Sequence, residues 1–182
     1  SHRYIATKVA EELGRDDLSI ISCHLGNGGS ITAIKNGKCV DTSMGFTPHA
    51  GIMMGTRSGD IDVSIVPYVM EKEGKSAGEI MNDLNKKSGF LGVSGVSSDS
   101  RDIEDGVREG NERCILAQKM YVNTIVKYIA QYYVLLGKVD AKLTTYESAT
   151  LTSSSTSASG CAASCTGLCA TACSGSCRGC TS

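Results

Sequence analysis

Neither sign of charge dominates this chain. Its 182 residues carry 18 lysines and arginines against 19 aspartates and glutamates, a formal net charge of −1, so it lacks the basic field that would hold a nucleic acid through its phosphates. No apolar run approaches the roughly 18 residues of a membrane span, and no basic segment leading into an apolar one precedes the first helical pattern. A cytoplasmic chain is expected, with neither nucleic acid nor membrane as a partner. No Gly-Lys-Ser/Thr step follows the densest glycine cluster, which excludes a phosphate loop of the Walker type. Up to residue 141 cysteine is confined to Cys23, Cys39 and Cys114 at scattered positions, and no metal site is assigned.

What the chain does have is the stretch Ser22-Cys23-His24-Leu25-Gly26-Asn27-Gly28-Gly29-Ser30. The aliphatic run Leu18 to Ile21 precedes it, and the run Ile31 to Ile34 follows, ahead of an Asn36-Gly37 pair that signals a tight hairpin. The glycines therefore fall at a strand-to-strand turn. Glycine there admits positive φ and lets backbone amides approach a ligand, and amides presented in this way attract an anion such as phosphate. A tight hairpin without a ligand fits the same residues.

Apolar spacing at Ile5, Val9 and Leu13 predicts a helix from Tyr4 to Leu13 that ends at Gly14. Residues 42–59 read as a loop, within which Arg57 is flanked by small residues and able to reach a phosphoryl group with its planar guanidinium; a surface pair with Asp60 is the other reading. His49 reads as loop surface, and Met53 and Met54 as packing. A helical pattern over 60–73 contains Pro67, which marks either a kink or a late first turn. Ser76 to Glu79 is a capping box opening a helix that Gly89 is expected to end. Asp99 and Arg101 flank a serine at another helix start, as N-cap and first-turn charges. The longest helix is expected from Asn111 to Leu136, with apolar residues on more than one side and either a layered core or a partner interface to serve.

The strings His24 to Pro48, Met53 to Asp62 and Leu84 to Asp102 resemble the acetate kinase family, within the superfamily of acetate and sugar kinases, heat-shock ATPases and actin, over residues 1 to about 141. That resemblance implies an α/β fold, part of a ribonuclease H-like (actin-like ATPase) domain with a β-hairpin phosphate loop and several helices. It implies a phosphotransferase reaction in which ATP and acetate give ADP and acetyl phosphate, with Mg2+, in a homodimer. By the family's pattern His2, within Ser1-His2-Arg3-Tyr4, stabilises the phosphoryl group in transit and Arg57 neutralises its charge. His24, Leu25, Gly26, Asn27 and Gly28 line the nucleotide's phosphates, and Asp99 and Arg101 meet its adenosine portion. Near the chain start His2 is expected at a frayed end. The family's amino-terminal domain, its Gly-Ile-Gly-Glu-Asn loop and its late magnesium-holding glutamate have no counterpart in the 182 residues, so the isolated chain is expected to be inactive, a nucleotide-binding remnant being the alternative.

From residue 142 the resemblance gives way to a tail, 142–182, rich in Ser, Thr, Ala and Gly. Its composition offers too little apolar surface to offset chain entropy, and disorder is expected. Six cysteines crowd between Cys161 and Cys180. Metal ligation through Cys177-x-x-Cys180, a crosslinked peptide, and translation through unrelated sequence remain open readings.

Overall fold

The computed structural model describes residues 1–146 of the chain. The Cys-rich tail lies outside the described residues from residue 147 onward. A first helix, α1 (His2–Leu13), leads into a hairpin of β1 (Ser19–Leu25) and β2 (Gly29–Lys35), and β3 (Lys38–Thr42) returns antiparallel to β2. Asn36 and Gly37, at φ 51° and 71°, make the turn that the Asn-Gly pair signals. Five helices follow: α2 (Ile65–Glu73), α3 (Ala77–Lys86), α4 (Gly89–Ser94), α5 (Ser100–Arg108) and α6 (Glu112–Leu136). The last strand, β4 (Ala141–Tyr146), then lies parallel to β1, giving the sheet order β3-β2-β1-β4.

Strand β4 runs past the boundary read from the sequence at residue 141. Its anchors were hidden from local pattern. Asp140 accepts the Ser19 N–H at 2.8 Å through its carboxylate and donates its own N–H to the Ser19 carbonyl at 2.8 Å, which sets the register that follows. Ala141 and Leu143 pack against Ala6, Leu18, Ile20 and Ile34, the core beneath α1. The opposite face of the hairpin meets α6, whose Ala117, Tyr121, Ile125 and Tyr132 are buried.

Local chemistry explains most helix ends. Gly14 and Gly74 close α1 and α2 in the left-handed region, and Ser76 with Glu79 forms the expected reciprocal cap of α3. Pro67 stands third in α2, within the first turn, where its missing N–H costs nothing. Gly89 differs from expectation: α3 stops at Lys86, and Gly89 opens α4 rather than terminating its predecessor. Asn111 caps α6 by accepting from the N–H groups of Arg113 and Cys114. Arg113 in turn donates to the carbonyls of Val93 and Gly92 at the end of α4.

Candidate functional site

The turn joining β1 to β2 is closed by the Gly26 N–H donating to the Gly28 carbonyl at 3.2 Å. Neither Gly28 nor Gly29 has the positive φ expected of them; their value is room. A Cβ on Gly29 would stand 2.7 Å from Cδ1 of the fully buried Ile52, and one on Gly28 would stand 3.5 Å from Arg57 Nη1. Leu25 is buried in the core, so only its backbone can face a ligand. Asn27 is exposed at the tip, and its carbonyl accepts the Gly55 N–H at 3.1 Å. This bond ties the turn to the loop that carries Arg57.

Arg57 stands on a turn that the Met54 N–H closes by donating to the Arg57 carbonyl at 3.1 Å. Successive carbonyls of that turn then meet the start of α4: Ser88, Phe90 and Leu91 donate to Thr56, Met54 and Gly55 at 2.9, 2.9 and 3.0 Å. So close an approach needs Gly89, where a Cβ would lie 2.1 Å from the Met54 carbonyl oxygen at a φ of +62°. The guanidinium is fastened at one nitrogen, Nη1, which donates to the Pro48 carbonyl at 3.0 Å and lies 3.6 Å from Met54 Sδ. The Arg57–Asp60 pair is not formed among the described residues. Asp60 instead accepts the Gly51 N–H at 2.8 Å and the Tyr128 hydroxyl at 2.5 Å, and burial together with that carboxylate pushes the Tyr128 hydroxyl pKa upward.

His2 is not frayed. Its Nδ1 lies 2.8 Å from Ser22 Oγ and its Nε2 lies 2.7 Å from Ser30 Oγ, which seats the first turn of α1 on the paired strands. Both serines are buried, and Ser30 stands opposite His24 in the β1–β2 register. The His2 and His24 rings meet edge to face at 6.3 Å. Burial first, and then the neighbouring His24, hold the His2 imidazole below its ordinary pKa, so the neutral ring is favoured. A neutral imidazole has one N–H donor and one acceptor nitrogen, and here both face serine hydroxyls.

Asp99 and Arg101 satisfy one another. The carboxylate caps α5 by accepting the Arg101 N–H at 2.9 Å, and takes Nε and Nη2 of the same side chain at 3.0 and 2.6 Å. That fork, helped by the cap, lowers the Asp99 pKa. Gly55 brings the pair toward the turn: a Cβ there would stand 2.0 Å from Asn27 Oδ1 and 2.9 Å from the Ser98 carbonyl oxygen. The structure thus gathers Gly26 to Gly28, Arg57 and the start of α5 around Gly55, and sets His2 beside His24 where β1 enters the turn.

Three groups escaped sequence reading. Ser22 and Ser30 lie buried in β1 and β2, where a hydroxyl asks for a partner. Asp60 with Tyr128, and His49, are held by contacts across 68 and 36 residues. His49, expected on the loop surface, is half-buried between Asn85 and Ser58.

Comparison with known proteins follows the same lines. Residues 1–147 match the acetokinase family. Curated acetate kinases of Phocaeicola vulgatus and Bacillus subtilis are 59% and 55% identical to the chain over 147 residues. Those segments are 80% of this chain and 37% of each relative, so the chain spans little more than a third of their length. Among solved structures, Porphyromonas gingivalis acetate kinase superposes with a TM-score of 0.75 at 53% identity, covering 78% of this chain and 36% of that one. A propionate kinase from Francisella tularensis gives 0.75 at 42% identity, covering 78% and 37%.

Proposed function

This chain belongs to the acetokinase family, and from that premise we propose that it supplies the phosphate side of the nucleotide site in an enzyme moving a phosphoryl group between ATP and acetate. The products are ADP and acetyl phosphate. One observation carries the reading: Arg57 Nη1 lies 3.5 Å from where a Cβ on Gly28 would stand, while Nε and Nη2 of the same guanidinium make no hydrogen bond among the described residues. An arginine anchored at one corner and open at the others, set against a glycine turn, suits a phosphoryl group whose negative charge must be neutralised in flight. Phosphoryl transfer asks for positioning and charge rather than a covalent nucleophile.

In this reading the turn from His24 to Gly28 receives the nucleotide's phosphates, and Asp99 and Arg101, at the start of α5, flank its adenosine portion. The His2 imidazole, with both ring nitrogens against the Ser22 and Ser30 hydroxyls, would meet the moving group only by exchanging one of those contacts. Magnesium would accompany the nucleotide's phosphates, keeping several waters, as is usual for that ion. The 182 residues by themselves bind nucleotide without turnover. Among the described residues no helix is long and apolar enough to cross a membrane.

The test is calorimetric binding of ADP and ATP beside a coupled assay for acetyl phosphate. Binding without turnover is expected of the chain alone, and fusion to the remaining portion of a relative is expected to restore transfer. In that fusion Arg57→Ala should reduce turnover by about 100-fold or more while weakening ADP far less. Equal losses in both would reduce Arg57 to a ground-state ligand, and absence of nucleotide binding by the chain would end the proposal.

A further inference from the structure

Beside the Arg57 turn, side chains from three parts of the chain meet at one ring. His49 Nδ1 lies 2.9 Å from Asn85 Oδ1, and His49 Nε2 lies 2.9 Å from Ser58 Oγ. The outermost bond decides where the protons are. Asn85 Nδ2 donates to the Met81 carbonyl at 3.0 Å, which leaves Oδ1 facing the imidazole, and an amide oxygen can only accept. Nδ1 therefore carries a proton, and Nε2 lies against the Ser58 oxygen, whose hydroxyl also donates to the Gly59 carbonyl at 3.0 Å.

Both neighbours of this ring bear on Arg57. Pro48, one residue before His49, supplies the carbonyl that receives Arg57 Nη1, and Ser58 follows Arg57 directly. The C-terminal turn of α3 gathers the same segment: Thr56 Oγ1 donates to the Asn85 carbonyl at 3.0 Å, and the Ser58 N–H donates to the Leu84 carbonyl at 3.0 Å.

We propose that His49 is a positioning residue for Arg57. By clasping Ser58 and Asn85 together it fixes the Pro48 carbonyl relative to the Arg57 turn, so the guanidinium is aimed at the Gly26 to Gly28 turn before any phosphate arrives. The gain is preorganisation, since a long and rotamer-rich side chain need not be ordered at the moment of binding. Ser58, His49 and Asn85 also stand in the order of a nucleophile, its base and an orienting group. Here, however, the Ser58 N–H that an oxyanion would need is spent on Leu84, and the hydroxyl lies within 3.0 Å of the Gly59 carbonyl as well. Positioning fits these contacts where acyl chemistry does not.

The inference deepens the phosphoryl-transfer reading and rests on it for its ligand, so its test has two arms. The first is a double-mutant cycle on ADP affinity. His49→Leu alone should weaken ADP about fivefold, the scale of one lost hydrogen bond, yet change nothing further in an Arg57→Ala background. Asn85→Asp, which keeps an acceptor for Nδ1–H, should stay within about twofold of the parent. An equal loss from His49→Leu with and without Arg57 would overturn the proposal. If the parent chain binds no ADP, the phosphoryl-transfer reading has failed, and the second arm still decides this one. In nitrogen-15 spectra of the unliganded chain, His49 should be protonated at Nδ1 and Arg57 Nε–H should give a single ordered signal that His49→Leu broadens or averages. An Nδ1 without a proton, or an Arg57 signal indifferent to His49, would overturn it without any nucleotide.

Discussion

Gly89→Ala puts a methyl group where Met54 offers its carbonyl. Two costs follow from the structure. An L-residue at φ +62° gives up about 1–2 kcal/mol against the right-handed alternative. The added Cβ would also stand 2.1 Å from the Met54 oxygen and 2.8 Å from the Arg57 oxygen, distances that only backbone movement can relieve. Moving the Met54 carbonyl sacrifices the bond it accepts from Phe90, worth about 0.5–1.5 kcal/mol net. The expected loss is therefore about 1.5–3.5 kcal/mol in urea unfolding. Gly95 provides the control, because its φ is +69° and nothing lies within 4 Å of its Cβ position; Gly95→Ala should cost only the conformational part, about 1–2 kcal/mol. Because the displaced carbonyls belong to the Arg57 turn, Gly89→Ala should also weaken ADP, whereas Gly95→Ala should not. Equal destabilisation by the two variants, with ADP affinity untouched in both, would refute the argument that α4 holds this turn by close approach.

Two other outcomes are expected. The His2 pKa is lowered below 6.5 on folding, so the unfolded chain binds the more protons just under that pH; stability should be full above pH 6.5 and fall as the pH drops through the folded-state value. Urea midpoints against pH would register this, and His2→Gln should flatten that part of the curve; an unchanged curve would contradict the burial argument. Gly28→Val should leave the unfolding midpoint nearly unchanged, because φ is ordinary there, yet weaken ADP by about tenfold or more by filling the space before Arg57 Nη1. Full affinity measured for that variant by calorimetry would remove the turn from the site.

Elements with local causes were legible in the sequence. The Asn36-Gly37 turn, the Ser76 and Glu79 cap, and the apolar stripe that ends α6 at Gly137 are each written within a few residues. What failed to show depends on contacts between distant segments. Gly89 looks like a terminator from its neighbours, and only the Met54 carbonyl pressing on it reveals why glycine stands there. The glycines of the β1–β2 turn were read for positive φ, whereas Gly29 makes room for Ile52 from another part of the chain. His2 looked frayed because the serines that hold it lie 20 and 28 residues away. Likewise β4 has little aliphatic character, and its pairing rests on Asp140 reaching back to Ser19 across 121 residues. The candidate site was legible as a set of residues, but its joints, Gly55 against Asn27 and His49 against Asn85, were not.

The central claim is that the Gly26 to Gly28 turn and Arg57 together receive a nucleotide's phosphates. Titrating the chain with ADP, pyrophosphate and adenosine while following the backbone amides of Asn27 and Gly28 and the Arg57 Nε–H by nuclear magnetic resonance tests it most directly. ADP and pyrophosphate should both shift all three signals, adenosine should shift none of them, and Arg57→Ala should suppress the response to pyrophosphate. Signals that move equally with adenosine, or stay still under saturating ADP, would contradict the account.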